Sequence, residues 1–469
     1  MIKYTQNKIK KVVETQKAYF RTNETLDVEF RIAQLKKLKK AILDYEERIE
    51  RALKEDLNRA DFETYLCDIG PTIMEINETI KGLKKWAKPE RHISGLINFP
   101  SIFTTVYKVP YGTTLIISPY NFPIVLSLGV LTAAIAGGNT AVIKVSSKSK
   151  SSSEVLEDLI FDTFDEKYVT VITGGHDVAD MCLEQKFDKI FYTGSPNVAK
   201  HVLAKAAENL TPVALELGGE TGNWCIIRKD ADIKDAARKI AFFKILNAGQ
   251  ICINVNQVAV ADTIADEFVE ELAKQFEKQI GKYPDNNIDY PKLISKQAYE
   301  KCENDVEKYR KKVVYGGFGD KDSRRYVPTI LYPINIDDDI VTKENFCPIL
   351  PVVKYKDEEI DELLDVIKDR EKALALYLFT KDMGWANETM QTMQYGGGCI
   401  NEVCLQMTVK GVPFNGTGHS GMGAYHGEWG FREFSHPQTV LTGYNKFNLS
   451  LREHPYKIYK KSVIKKLER

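Results

Sequence analysis

At 469 residues the chain is long enough for about two to four domains with sizeable cores. Its 65 basic and 65 acidic side chains cancel, which argues against nucleic acid as a partner. The eight cysteines include no C-x-x-C pair and the seven histidines form no ligand cluster with them, so no metal site is expected and the thiols read as reduced, in a cytoplasm.

The start, Met1-Ile2-Lys3-Tyr4, is polar and then basic, with no apolar region of the signal-peptide kind. Residues 1 to about 88 read as charged helices, with Val28, Ile32, Leu35, Leu38, Ile42, Ile49 and Leu53 in one apolar stripe. A strand is expected at 104–109. No charge occurs between Lys108 and Lys144, but Gly112, Pro119, Pro123, Gly137 and Gly138 interrupt the run, so strand, turn and buried helix fit it better than a membrane span.

From Thr113 strands and helices alternate. Strands are expected at 114–117, 140–145, 168–173, 189–193 and 212–217, with helices near 124–136, 153–164, 179–185 and 197–210. That alternation predicts a mostly parallel sheet covered on both faces, with ligands at the carboxyl ends of its strands. A second α/β series follows Trp224: a helix over 232–246 with Asp232 as N-cap, a strand at 255–260, a helix carrying Phe268, Leu272 and Phe276, strands at 349–355 and 373–379, and a helix between them. The glycine-rich stretch 411–430 reads as loop, and 438–443 as strand. The end, 454–469, is basic. It reads as a docked terminal helix ahead of a contact with an anionic membrane surface.

Polar residues gather where the predicted strands end. Cys252 follows Asn247-Ala248-Gly249-Gln250-Ile251, between a helix and a buried strand, with Gly249 suited to a left-handed turn. Such a thiol is either an aimed nucleophile or a structural cysteine, and its own ten residues leave both readings open. Glu216 ends a strand beside two glycines and reads as a crevice carboxylate or a loop cap. Asn121 sits in a stiff turn, as an oxyanion donor or a turn former. Lys144 closes an apolar strand, as a partner for a ribose or phosphate or, read in isolation, a solvent charge at the strand edge, and Gly194-Ser195 opens a helix, a good place for a phosphate. The G-x-G-x-x-G fingerprint is absent.

Together these stretches resemble the aldehyde dehydrogenase superfamily over almost the whole chain. The resemblance rests on Pro119-Tyr120-Asn121-Phe122-Pro123, Ala136-Gly137-Gly138-Asn139-Thr140 through Lys144, Tyr192-Thr193-Gly194-Ser195, Leu215-Glu216-Leu217-Gly218-Gly219, Gly249-Gln250-Ile251-Cys252, Lys343-Glu344-Asn345-Phe346-Cys347-Pro348 and Pro413-Phe414-Asn415-Gly416. Ser420-Gly421-Met422-Gly423-Ala424-Tyr425-His426-Gly427 and Phe434-Ser435-His436 are similar to the short class 3 branch of fatty and aromatic aldehyde dehydrogenases.

The resemblance implies an α/β fold of three parts: a Rossmann-type cofactor domain (1–97 and 111–215), an α/β catalytic domain (216–415) and bridging strands (98–110 and 432–447) that serve a homodimer, with a basic tail at 448–469. It implies oxidation of an aldehyde, uncharged and aliphatic or aromatic, to an acid with NAD or NADP. Cys252 would attack, Asn121 would hold the oxyanion and Glu216 would activate water. Ile117, Ser118, Lys144, Ser147, Gly174, Thr193, Gly194, Ser195, Val198, Leu217, Gly218, Glu344 and Phe346 would surround the cofactor. Tyr120, Phe122 and Ile251 would line the substrate pocket. Ser147 stands where NAD-preferring relatives often carry a glutamate that repels a 2′-phosphate, so NADP use is expected. Glu220, Ala199, Cys347 and Asn415 depart from the usual family residues. Two alternatives remain at this stage: release of the thioester to coenzyme A, and a non-redox thiol hydrolase or acyltransferase.

Overall fold

The apolar stripe of the first ninety residues folds as helices Gln6–Phe20, Val28–Asp44, Glu46–Leu57 and Gly70–Trp86. Thr5 and Asp27 cap the first two by accepting the N–H of Lys8 and of Glu29. Ile32, Leu35, Leu38, Ile42, Ile49 and Leu53 are buried, in one core with Ile116, Leu131 and Ile135 of the sheet layer. Each such side chain contributes about 1.5–3 kcal/mol when removed from water. The computed structural model describes residues 4–99, 101–443, 451 and 453–468.

A six-stranded sheet follows in the order Gly421–Met422, Val213–Leu217, Lys189–Gly194, Thr113–Ile117, Thr140–Lys144, Val169–Ile172. Five of its strands are parallel, as alternation with helices predicts. The uncharged run between Lys108 and Lys144 contributes two of these strands and the helix Val130–Gly137, every residue of which is buried. A helix apolar on all sides is a core helix, and among the described residues none is long and apolar enough to cross a membrane.

The second sheet has seven strands in the order Val313–Tyr315, Thr329–Ile334, Ile349–Tyr355, Val255–Ala261, Asn223–Ile227, Ala375–Phe379, Gly397–Ile400. All pairs but the first are parallel. The strands at 223–227, 313–315, 329–334 and 397–400 are not predicted from sequence. The first three are rich in strand-forming residues but too short to show a clear alternation, and Gly397–Ile400 opens on two glycines, so its neighbour Ala375–Phe379 rather than local preference makes it extended.

The stretch 411–430 is not the loop expected. Gly421–Met422 pairs antiparallel with Leu215–Glu216, Phe414–Asn415 pairs with Ala424–Tyr425, and the helix Gly427–Glu433 begins inside it. Two-residue strands carry no periodicity of their own, which is why the sequence reads as loop. A third, three-stranded sheet joins Glu90–Ile93, Phe103–Pro110 and Ser435–Leu441. The expected bridging strands pair with each other in this chain, Thr104 opposite Leu441 and Val109 opposite His436. The expected bridging range beyond 443 and the tail positions 448–450, 452 and 469 lie outside the described residues. The basic end forms the helix Ile458–Leu467.

Candidate active site

Cys252 leaves the helix Ile233–Ile245 through a tight left-handed turn. Asp232 caps that helix, accepting the N–H of Asp235. Asn247, Ala248 and Gly249 then take φ angles of 49°, 49° and 76°. The two non-glycine residues cost on the order of 1–3 kcal/mol each in such a conformation, so other bonds must hold them. The Asn247 N–H donates to Glu63 Oε1 (2.7 Å), and its side-chain amide donates to the carbonyls of Asn121 and Gln250 (3.0 Å each). At Gly249 a Cβ would lie 2.5 Å from the Cys347 carbonyl oxygen, so no side chain fits.

Past the turn, Asn223 Nδ2 donates to the carbonyls of Cys252 (2.7 Å) and Asn254 (2.9 Å). The Tyr377 hydroxyl and the Cys404 thiol donate to the carbonyl of Ile253. The half-buried Cys252 thiol therefore rides on backbone held from both sides. Beside it, buried Asn121 donates one amide N–H to the Gln250 carbonyl (3.1 Å). An amide has two such hydrogens, and the second is left for another acceptor.

Glu216 lies near the end of Val213–Leu217, 2% exposed, and neither carboxyl oxygen has a hydrogen-bond partner. Burial pushes it up to about 7; the nearby Cys252 thiol tempers that rise, although no hydrogen bond of full geometry joins the two. Glu344 is pushed up to about 8, by burial first and by Glu216 second, and its buried Oε1 is also unpartnered. The thiol of Cys252 is raised well above its ordinary value by burial and then by these two carboxylates. The three groups thus lie within electrostatic reach of one another. A carboxyl that is half ionised near neutrality is suited to take a proton from a thiol or from water.

The expected cofactor residues stand along the carboxyl ends of the six-stranded sheet. Ile117 is in register with Lys144 and Tyr192, and Gly194 with Leu217. Lys144 is 4% exposed rather than a solvent charge, and donates to the carbonyls of Val145 (2.7 Å) and Gly174 (2.8 Å). Desolvation lowers its pKa, and one of its three N–H bonds remains free. Ser118 accepts from the Ser127 hydroxyl (2.7 Å), and Thr193 has a buried, unpartnered hydroxyl. Ser195 is the N-cap of the helix Pro196–Ala207 and makes no side-chain cap bond, so the first-turn N–H groups stay available.

Gly218 leaves room for Glu344, since a Cβ there would lie 2.0 Å from Glu344 Oε1. A free ammonium hydrogen, an open helix N-terminus, an unpaired hydroxyl and an unpaired carboxylate are what ribose hydroxyls and a pyrophosphate require, and the residues fit a dinucleotide. Ser147 and Val198 are exposed beyond the strand ends.

Of the expected pocket residues, Ile251 is buried behind Cys252. Tyr120 meets Phe346 edge-on at 6.1 Å, on the Glu344 side, with Lys148 over its ring at 5.3 Å. Phe122 lies under the Arg59 guanidinium. A narrow cavity of about 70 Å³ runs between Val125, Leu126, Met407, Val409, Tyr425 and His426. Tyr425 is buried within the influence of both Glu216 and Cys252, and His426 stacks on Phe414 at 5.7 Å. Burial lowers His426 to about 4, so it is neutral at ordinary pH.

His201 pairs with Asp180 and His419 with Glu220. No metal-binding group of side chains occurs among the described residues. The sequence reading missed Arg59, Glu63, Asp68, Asn223 and Tyr377. Their bonds cross up to 184 residues of chain, and no local pattern marks them.

A six-stranded, mostly parallel sheet whose strand ends carry groups suited to a dinucleotide, with Cys252, Glu216 and Glu344 in electrostatic reach of one another, has the form of an α/β oxidoreductase. The comparison with known proteins narrows the class: the aldehyde dehydrogenase family matches residues 1–440, and the chain belongs to that family. As such it is an NAD(P)-dependent enzyme that oxidises aldehydes.

It is 37% identical over 441 residues to 4,4′-diaponeurosporen-aldehyde dehydrogenase of Staphylococcus aureus, covering 94% of this chain and 95% of that one. It is 34% identical to the dimeric NADP-preferring aldehyde dehydrogenase of Mus musculus, over 92% and 94% of the two chains. Among solved structures, the substrate-bound Staphylococcus aureus AldH superposes with a TM-score of 0.94 at 36% identity, over 98% and 99% of the two chains.

Proposed function

We propose that the protein oxidises an uncharged aldehyde with an apolar body to the carboxylic acid by covalent catalysis at Cys252, with hydrolytic release. The observation that carries this reading is Glu216: a buried carboxyl without a hydrogen bond, raised to about 7, beside the thiol. In this reading Glu216 takes the thiol proton, and the Cys252 sulfur adds to the aldehyde carbon. The free N–H of Asn121 and the backbone N–H of Cys252 hold the oxyanion. Bound NAD(P) supplies the oxidising power by accepting the aldehyde hydrogen as hydride. Glu216 next releases the thiol proton to solvent and, ionised again, removes a proton from water, which attacks the thioester; the C–S bond breaks, the Cys252 sulfur leaves as thiolate and regains a proton, and the acid forms. An available base favours water over coenzyme A as the acceptor. The lack of a hydrogen-bonded histidine at Cys252, among the described residues, disfavours a histidine-assisted thiol hydrolase.

For the cofactor, Lys144, Thr193, Gly194, Ser195, Gly218 and Glu344 would take the ribose and pyrophosphate contacts, with Ile117, Ser118, Gly174, Val198, Leu217 and Phe346 around them. Residues 1–97 and 111–215 would form the cofactor-binding unit and 216–415 the catalytic one. The protein would use NADP as well as NAD, because Ser147 sets no negative charge against a 2′-phosphate while Lys144 and Lys148 stand nearby. The bridging strands would serve a homodimer, as the name of the mouse relative suggests. The cavity beside Tyr425, mostly apolar but edged by Glu75, Glu78 and Lys410, supports a substrate with an apolar body; the Staphylococcus relative is named for 4,4′-diaponeurosporen-aldehyde.

The test follows absorbance of reduced cofactor with NAD or NADP and a panel of aldehydes, with and without coenzyme A. Reduction independent of coenzyme A, fastest with long or aromatic aldehydes, is expected. A strict requirement for coenzyme A, or no reduction by any aldehyde in a protein that binds cofactor, overturns the reading.

A further inference from the structure

Beneath Asn121 and Cys252 lies a charged cluster that the proposed mechanism does not use. Arg59, 0% exposed, follows the helix Glu46–Leu57. Its Nη1 donates to Asp68 Oδ2, and its Nη2 donates to the carbonyl of Asn121. Asp68, also fully buried, accepts the N–H groups of Ile124 (3.0 Å) and Val125 (2.9 Å) through Oδ1. The guanidinium lies 4.7 Å from the ring centre of Phe122. The turn that carries Asn121 is therefore gripped along its length by one ion pair. Glu63, whose Oε1 is 3.6 Å from Arg59 Nε, accepts the N–H of Asn247 in the turn that carries Cys252. Asn247 closes the ring by donating to the same Asn121 carbonyl (3.0 Å).

A buried ion pair is often no more stabilising than well-packed apolar residues of the same volume. Stability alone therefore gives little reason for a fully buried guanidinium between two carboxyls. Geometry gives one. A planar fork can bind a carboxylate and a carbonyl at once, which an ammonium point charge cannot do with the same rigidity. We propose that Arg59, held by Asp68 and coupled to Glu63, is a positioning residue that sets the distance between the Asn121 amide and the Cys252 sulfur. The inference rests on the reading of Asn121 as oxyanion donor. Asn247 and Gln250 tie Asn121 to the Cys252 turn from one side; Arg59 and Asp68 hold it from the other, and a misplacement on the order of 1 Å can cost about 100-fold in rate.

The experiment uses the full chain and four readouts: kcat and KM for aldehyde oxidation, the acylation burst with p-nitrophenyl acetate, the rate of Cys252 alkylation by iodoacetamide, and thermal midpoint. Arg59→Lys keeps a charge beside Asp68 but loses the fork. It is expected to lower kcat and the acylation burst rate by about 10–100-fold, the scale of a disturbed oxyanion donor. KM for the cofactor and the alkylation rate, which needs no oxyanion hole, should stay within about twofold. Glu63→Ala should lower the same two rates, and Glu63→Gln, which keeps the acceptor for Asn247, should recover most of the loss.

Unchanged kcat and acylation in a folded Arg59→Lys protein overturn the proposal. So does alkylation falling in step with kcat, which marks general collapse of the turn, or a Glu63→Gln variant as poor as Glu63→Ala. Should Arg59→Lys fail to fold, Asp68→Asn, which keeps Oδ1 for Ile124 and Val125 but loses the Arg59 acceptor, is expected to lower kcat and the acylation burst in the same way, and unchanged rates there overturn the proposal. If the wild type oxidises no aldehyde, the functional reading fails, while the acylation burst still tests the positioning role.

Discussion

The two halves of the active site are built in opposite ways. Around Cys252 and Asn121, carbonyl and N–H groups are satisfied from many directions, by Asn223, Tyr377, Asn247, Gln250 and Glu63. Around Glu216 and Glu344, buried carboxyl oxygens have been left without partners. The first half is rigid, and its bonds run mostly from side chains to backbone, which fixes where atoms sit. The second half is electrostatically uncomfortable, and that discomfort keeps both carboxyls able to exchange protons near neutrality.

The largest way to break this contrast is at the thiol. Cys252→Ser should abolish aldehyde oxidation, by about four orders of magnitude or more, while cofactor titration by fluorescence still shows binding. Next comes the uncomfortable half. Glu216→Gln should give one burst of reduced cofactor, itself slowed because the thiol has lost its base, and then turnover slower still, by about 10²–10⁴-fold. Wild-type-like steady turnover in that variant would remove Glu216 from the mechanism. In the native enzyme the hydrolytic step should fall as pH drops below about 7, where Glu216 takes up a proton, and Glu216→Gln should lose that slope.

The rigid half should respond through a different measurement. Asn121→Ala should lower kcat by about 10²–10³-fold, with little change in cofactor KM.

Stability should move in the opposite sense at the two places. Glu216 has a folded-state pKa above its ordinary 4.5, so its ionised form disfavours the fold. The penalty is absent below pH 4.5, grows as pH rises, and is complete above 7. Glu216→Gln should therefore stabilise the protein at pH 8, by up to about 3 kcal/mol, and by almost nothing at pH 4. Tyr377→Phe, which strips a donor from the Ile253 carbonyl, should destabilise by about 1 kcal/mol at either pH. Denaturant melts at the two pH values read both effects. The smallest effect is at the cofactor rim, where Ser147→Glu should depress NADP use relative to NAD by about tenfold, on the order of the 1–1.5 kcal/mol of repulsion between partly screened charges.

Much of this site is legible in the chain itself, for a local reason. Strand ends, a glycine that permits the turn before Cys252, and an Asp that caps the helix ahead of it are decided within a few residues. The alternating strands and helices, the strand at Val255–Ala261 and the cap at Asp232 follow from side-chain spacing alone. The family motifs imply one site for Cys252, Glu216, Asn121 and Glu344, and the fold brings Cys252, Glu216 and Glu344 within electrostatic reach of one another.

Tertiary structure decided the rest. Lys144 reads as a solvent charge in isolation and is buried against two carbonyls. The stretch 411–430 reads as loop and instead supplies an edge strand opposite Glu216. Arg59 has no local mark at all, because its partners lie 9 and 62 residues away. Periodicity reports which face of an element is apolar. It carries no information about which distant polar group will be shut in with which, and the pKa values of Glu216 and Glu344 depend on that enclosure.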